Sequence, residues 1–353
     1  MRPIGTIAAV VVCALAPAAV AAGCAGNPTR SAPDASDDAI ADTGRDHAHS
    51  TFADEGGPDT NGPGLLSATG LFSDVSKRTL APGVIAYDVR WPLYADGDGK
   101  GRWLWLPPST KIDTSDMDQW TFPVGTKMWK DFVVAGQRVE TRFLQKRGDG
   151  DWFMTAYLWL QDGSDAYAVL DGVKNASGTT HDVPSQKNCY SCHNQVRDVG
   201  IGVAALQLSS ASGPSTLAMF ASMGLLSNPP GKEFDAPGAG AVKDALTYLH
   251  ANCGHCHSDE GRLDKQTPMR LRLHVSDATP EATGAYTTTF GVATRHTLLG
   301  TDTIVVKGKP ESSQLYVRMG VRDNGQDQMP PLGTKVVDAP SWATVGQWIA
   351  GLQ

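Results

Sequence analysis

Three things are scarce in this chain of 353 residues: cysteine, long apolar runs, and positive charge. Only residues 4–20 form an extended uncharged apolar stretch, which excludes a protein that crosses a membrane several times. Lys and Arg number 30 against 37 Asp and Glu, a formal net charge of −7. That balance excludes nucleic acid as the main partner, since phosphate binding needs clustered cations. No Ser/His/Asp arrangement, phosphate loop, zincin motif or short-period repeat is present. The 41% hydrophobic fraction fills ordinary cores, and 38 Gly with 22 Pro point to many turns. The length suits two domains or three small ones.

The first residues read as an export signal over 1–23. Arg2 supplies a short positive start, and Ala19, Ala21 and Ala22 offer small residues for cleavage. A membrane anchor is the alternative, weakened by Pro17 and the shortness of the run. Val20-Ala21-Ala22-Gly23-Cys24 resembles a bacterial lipobox, in which the cysteine carries the lipid. It departs from that pattern at Ala21, where a bulky residue is usual. Lipidation would also account for Cys24, otherwise an unpaired thiol in an exported protein. Residues 24–64 are acidic and nearly devoid of large apolar side chains, so they read as a disordered tether. The expectation is an exported protein of the periplasm or cell envelope, held to a membrane by an N-terminal lipid.

Residues 65–185 read as a β-rich, sandwich-like domain. Strands are expected at 84–91, 102–106, 119–122, 127–134, 138–146, 152–160 and 166–170, separated by turn residues. Trp103, Trp105, Trp120, Trp129, Trp152 and Trp159 read as core and rim rather than a carbohydrate platform. Asp96-Gly97-Asp98-Gly99-Lys100 reads as a tight turn, since a calcium loop would need a later Glu that is missing. Lys130, Asp131, Glu140 and Arg142 read as a surface ion-pair ladder, with a binding site as the alternative.

Beyond 185 the pattern turns to helices and loops. Helices are expected at 216–226, 241–251 and 341–352, the last two with apolar stripes at helical spacing. Residues 186–235 form a first haem-binding segment and 236–353 a second unit. The division rests on two pentapeptides, Cys189-Tyr-Ser-Cys192-His193 and Cys253-Gly-His-Cys256-His257. Both are C-x-x-C-H, the attachment signature of c-type haem. Two thiols at this spacing reach the two vinyl groups of one porphyrin edge, and the adjacent His meets the iron. Two covalently bound haems c are therefore expected, with His193 and His257 as proximal ligands. The alternatives are a four-cysteine zinc site, for which the pairs stand too far apart and which leaves both histidines unexplained, and disulfides within each pair.

With 241–251 running into Cys253 and Met329-Pro330-Pro331 preceding the last helix, residues 238–353 resemble a class I cytochrome c domain. That resemblance implies two terminal helices packed across each other and Met329 as distal ligand to the iron held by His257. Met319, in helical context, reads as core; His250, His255, His274 and His296 are weaker rivals. The first iron receives no assigned sixth ligand from Met128, Met154, His181, Met219 or Met223. More widely, residues 70–353 resemble an exported bacterial di-haem c-type cytochrome family. The segments that carry this are 87–93, 122–132, 139–143, 189–193, 201–208, 307–313 and 329–333. Membership implies a β-rich N-terminal domain followed by mainly α cytochrome c-type haem domains, and redox activity without a stated substrate. The expected function is electron transfer to or from a redox partner protein, the acidic surface steering it toward a basic patch. Two alternatives stand beside it: a peroxidase-like di-haem enzyme with an open first iron, and a β binding module with a redox tail.

Overall fold

Runs of β-branched and aromatic residues pair, in chain order, into one antiparallel sheet of six strands. The computed structural model describes residues 58–353 apart from 262 and 264, all within one compact unit. The expected signal segment, Cys24 and most of the acidic tether lie outside the described residues. Two short strands, β1 (Phe72–Asp74) and β2 (Thr79–Leu80), form a ribbon before the sheet. The sheet runs β3 (Ile85–Ala86), β4 (Arg102–Trp105), β5 (Lys127–Val134), β6 (Gln137–Gly148), β7 (Asp151–Trp159) and β8 (Ala166–Val169). The β5–β6 turn is Ala135-Gly136, both at positive φ. Then come α1 (Gln186–His193), α2 (Ala205–Leu208), α3 (Thr216–Ser222), α4 (Gly240–Asn252) and α5 (Gly284–Thr289). A second ribbon, β9 (Ala293–Leu298) and β10 (Thr301–Thr303), precedes α6 (Gln314–Met319) and α7 (Ala339–Ala350).

Successive side chains of a strand point to opposite faces, so the sheet has two cores. One face presents Trp129, Phe143, Phe153, Tyr157 and Trp159 to Leu66, Leu71 and Phe72 from the N-terminal segment. The other presents Leu104, Met128, Leu144, Trp152 and Met154 to Cys189, Tyr190, Leu208, Leu217 and Phe220. A third core holds α4, α6 and α7 together through Leu246, Leu249, Met319, Val345, Trp348 and Ile349. Burying each such side chain contributes on the order of 1.5–3 kcal/mol.

The expected fold class needs correction. No second sheet faces the first: helices and loops cover one side and the N-terminal segment the other. Nor is the C-terminal part a mainly α cytochrome domain. Helix and strand are nearly balanced, 24% and 22% of the described residues. Between α4 and α7 the chain makes only short helices, a ribbon and irregular stretches. Apolar residues gave β5, β6 and β7 buried faces, but the strand expected at 84–91 shrinks to Ile85–Ala86 and the one at 119–122 does not form, and periodicity does not say what covers a buried face. In the C-terminal part, Gly, Pro and Thr interrupt helix after one or two turns. The tryptophans are structural: Trp120, Trp129, Trp152 and Trp159 are buried, and Trp103 and Trp105 half-buried.

One buried carboxylate ties the sheet to the segment after α1. Asp198 accepts from Trp152 Nε1 at 2.7 Å, from Phe122 N at 2.5 Å and from Lys146 Nζ at 2.9 Å. Lys146 is only 2% exposed; it also donates to Phe122 O at 2.8 Å and lies 3.9 Å from the exposed carboxylate of Asp149. Removing Asp198 leaves a buried ammonium without its counter-ion, which typically costs 3–5 kcal/mol. Asp198→Ala is therefore expected to lower the urea unfolding free energy of the purified protein by about 3–5 kcal/mol. A loss below about 1 kcal/mol, the scale of one ordinary hydrogen bond, would contradict this role.

Candidate functional site

The first C-x-x-C-H lies on α1. Ser185 caps that helix by accepting from Asn188 N, and Asn188 Oδ1 accepts in turn from Ser185 N, a reciprocal capping box. Tyr190 pins the helix to the sheet through its hydroxyl, which donates to Trp152 O at 2.9 Å. Cys189 is buried in the core beneath it. The second motif follows α4 as a run of turns. Gly254 is required there: a Cβ would stand 2.7 Å from His250 O and 2.9 Å from the Arg272 Cα. The chain then returns over the motif, Leu271 N donating to His257 O at 2.8 Å and Leu273 N to His250 Nδ1 at 2.9 Å.

Cys189, Cys192, Cys253 and Cys256 are all free thiols. Burial pushes Cys189, Cys253 and Cys256 up to about 12 and raises Cys192 as well. Burial thus favours the neutral thiol at all four positions at physiological pH. Among the described residues no three His, Cys, Asp or Glu side chains converge on a metal-sized point.

The histidines are held neutral as well. Burial takes His193, His255 and His257 down to about 4 and His250 to about 3. His193 Nδ1 lies 2.7 Å from Val199 O, so the neutral ring donates there and keeps Nε2 as its lone-pair nitrogen. That is the orientation of a metal-ligating histidine held by a backbone carbonyl. Val199 is itself set at positive φ next to Asp198, the residue clamped by the sheet. At the second motif, Nδ1 of both His255 and His257 is buried without a hydrogen-bond partner among the described residues.

The segments that follow the two motifs meet, Arg197 Nη2 pairing with Glu260 Oε1 at 3.2 Å. Charge on Cys192 helps raise the Cys256 thiol, and His255 helps lower His193. Lys130, on β5, acts on both His193 and His255. Its own amine is driven well below the ordinary lysine value by burial and by Arg142, Arg102 and Lys100.

Met329 lies half-buried in the loop between α6 and α7, its N–H donating to Arg318 O at 3.0 Å. Its rival Met319 is 5% exposed and packs in the core under α4 and α7. Met128 and Met154 are buried in the core that holds Cys189; Met219 packs against it and Met223 is exposed. His181 has both ring nitrogens engaged by carboxylates, which removes it as a free ligand. The charged ladder is not a surface feature. Glu140 is buried and pairs with Arg142 on the face toward α1, whereas Asp131 is buried on the opposite face with Thr141 and Arg138. Sequence reasoning missed Lys130, Glu140 and His181 as one neighbourhood because the strands and the loop that join them are distant in sequence.

No family model, curated protein or solved structure matches this chain. Among the described residues no helix is long and apolar enough to cross a membrane.

The buried neutral histidines carry a pH signature. A group whose folded value lies below its free value binds a proton first in the unfolded chain, so stability falls as pH drops. For His250 this loss begins near the ordinary imidazole value of 6.5 and continues to about 3. His250→Asn keeps an acceptor for Leu273 N without a titrating ring. Its urea midpoint is expected to fall less than that of the native chain between pH 7 and 4. An equal fall in both would contradict the neutral assignment.

Proposed function

We propose that the chain is an exported, lipid-anchored electron carrier holding two haems c. The observation that carries this reading is the convergence of two C-x-x-C-H motifs, each with neutral free thiols and a buried neutral histidine. Cys189 and Cys192 would hold the first haem and Cys253 and Cys256 the second. His193 and His257 would supply the proximal nitrogens. Each haem, when bound, supplies a one-electron couple whose potential its axial ligands set. The chain's own residues do the rest. Val199 O fixes the His193 ring, and the core around Cys189 excludes water. Packing of α4 on α7 holds Cys253 at the edge of a tryptophan-rich core. The neighbouring motifs suit passage of an electron from one centre to the other. Export and lipidation at Cys24 belong to the same proposal and rest on the sequence.

Met329 is the proposed distal ligand of the second iron. Its rival Met319 is committed to the core, which supports the choice. A second reading draws on His181: with that ring held by two carboxylates, the first iron loses one candidate ligand, and an open face there would admit a small oxidant such as peroxide.

The test is Met329→Ala in the haem-loaded protein. One of the two midpoint potentials should fall, and that haem should begin to bind carbon monoxide. Unchanged potentials and no new binding would overturn the ligand assignment. Carbon monoxide binding to the native protein at one haem would move the enzyme reading to the front.

A further inference from the structure

We infer that Asp98, His181, Glu140 and Arg142 form a buried proton-binding array that couples the first haem to pH. The inference rests on the di-haem reading. His181 sits in the loop between β8 and α1. Its Nδ1 is 2.8 Å from Asp98 Oδ2 and its Nε2 is 2.7 Å from Glu140 Oε2. The side chains of His181 and Asp98 are each 7% exposed, and that of Glu140 is fully buried. Glu140 continues to Arg142 through two contacts, Oε1 to Nε at 2.6 Å and Oε2 to Nη2 at 3.1 Å. The His181 ring and the Arg142 guanidinium both lie on Phe132, at 5.2 Å and 4.2 Å from its centre. The positive charge of Arg142 in turn reaches the thiols of Cys189 and Cys192.

The chemistry of the ring fixes the preferred protonation state. A neutral imidazole has one donor and one acceptor nitrogen, whereas ionised carboxylates only accept. Flanked by two carboxylates, the ring completes both hydrogen bonds only as imidazolium. Hydrogen bonds to Glu140 and Asp98 accordingly raise its proton affinity above the ordinary value, against the burial that opposes it. The charged groups around the ring are Asp98 before β4, Glu140 and Arg142 on β6, and Lys130 on β5. Lys100 stands beside Asp98 and Arg142. With His181 protonated, Asp98 and Glu140 balance His181 and Arg142. Loss of that proton makes the buried array one charge more negative.

One electron accepted at the first haem, when bound, would remove one positive charge there. At a pH above the raised His181 value, where the ring has lost its proton, reduction would draw one proton from solvent onto His181, and oxidation would return the proton and the electron. The electron comes from a one-electron donor protein, so charge and atoms balance. Solvent reaches the array at Asp98, whose neighbours Gly97 and Gly99 are exposed. The residues flanking His181 also touch the loop that follows Met329: Thr180 O and Asp182 Oδ1 accept from Lys335 Nζ at 2.8 Å and 2.5 Å. The array therefore lies between the first attachment site and the second haem's proposed ligand loop.

The experiment is redox titration of the haem-loaded chain from pH 5.5 to 9. The first-haem couple is identified as the one Met329→Ala leaves in place. Its midpoint should fall as pH rises, by up to about 59 mV for each tenfold change in proton activity. His181→Gln should flatten that dependence and leave the second couple unchanged. Should His181→Gln fail to fold, Asp98→Asn is the second variant, expected to shift the pH window to lower pH. Two haems with a pH-independent first couple would overturn the proton array alone, as would a native slope in a folded His181→Gln. A chain that acquires no haem would overturn the di-haem reading and the array with it.

Discussion

Everything around the first C-x-x-C-H motif depends on one buried carboxylate. Asp198 is accepted into the sheet by Trp152, Phe122 and Lys146, and so fixes where the chain goes after α1. Val199 follows directly, and its carbonyl orients the His193 ring. A buried charge tolerates few arrangements, because an unpaired ion in the interior is costly. The same rule governs the other polar groups on this face: Glu140 is matched by Arg142 and His181, and Lys146 by Asp198. The sheet is thus more than an apolar floor. Its face toward α1 combines packing residues with paired charges that determine the geometry of the attachment site.

This arrangement gives the β-rich half a role that sequence alone left open. It is the wall on which the first motif is built, and it supplies the charges nearest that motif. Lys130 acts on His193 and on His255, one from each motif. Burial and the surrounding cations favour the neutral amine of Lys130. The sheet therefore contributes a polar group to the surroundings of both motifs.

Legibility in the sequence followed the range of the interactions. Strand β5 was expected at 127–134 and forms there, its Trp129, Phe132, Val133 and Val134 favouring extended backbone. Helices α4 and α7 lie within one or two residues of their expected positions, since their apolar stripes are helical. The two C-x-x-C-H motifs were readable because their pattern is local. What covers the sheet was not readable: a strand buried on both sides looks the same under a second sheet or under helices. Helix α1 was not expected, since its residues have no apolar stripe to mark it, and only the structure shows Ser185 and Asn188 closing a capping box at its start. The Asp98–His181–Glu140 contacts join residues far apart in sequence, and no local pattern announces them. Stretches rich in Gly, Pro and Thr after the second motif gave short elements where a helical domain was expected.

The central claim is that this chain carries two covalently attached haems. Its most direct test is the intact mass of the denatured protein after expression with a competent maturation system. The mass should exceed that of the polypeptide by two haems, and Cys192→Ala with Cys189→Ala should reduce the excess to one. An unmodified polypeptide mass, with haem removable by acid extraction or never bound, would contradict the account.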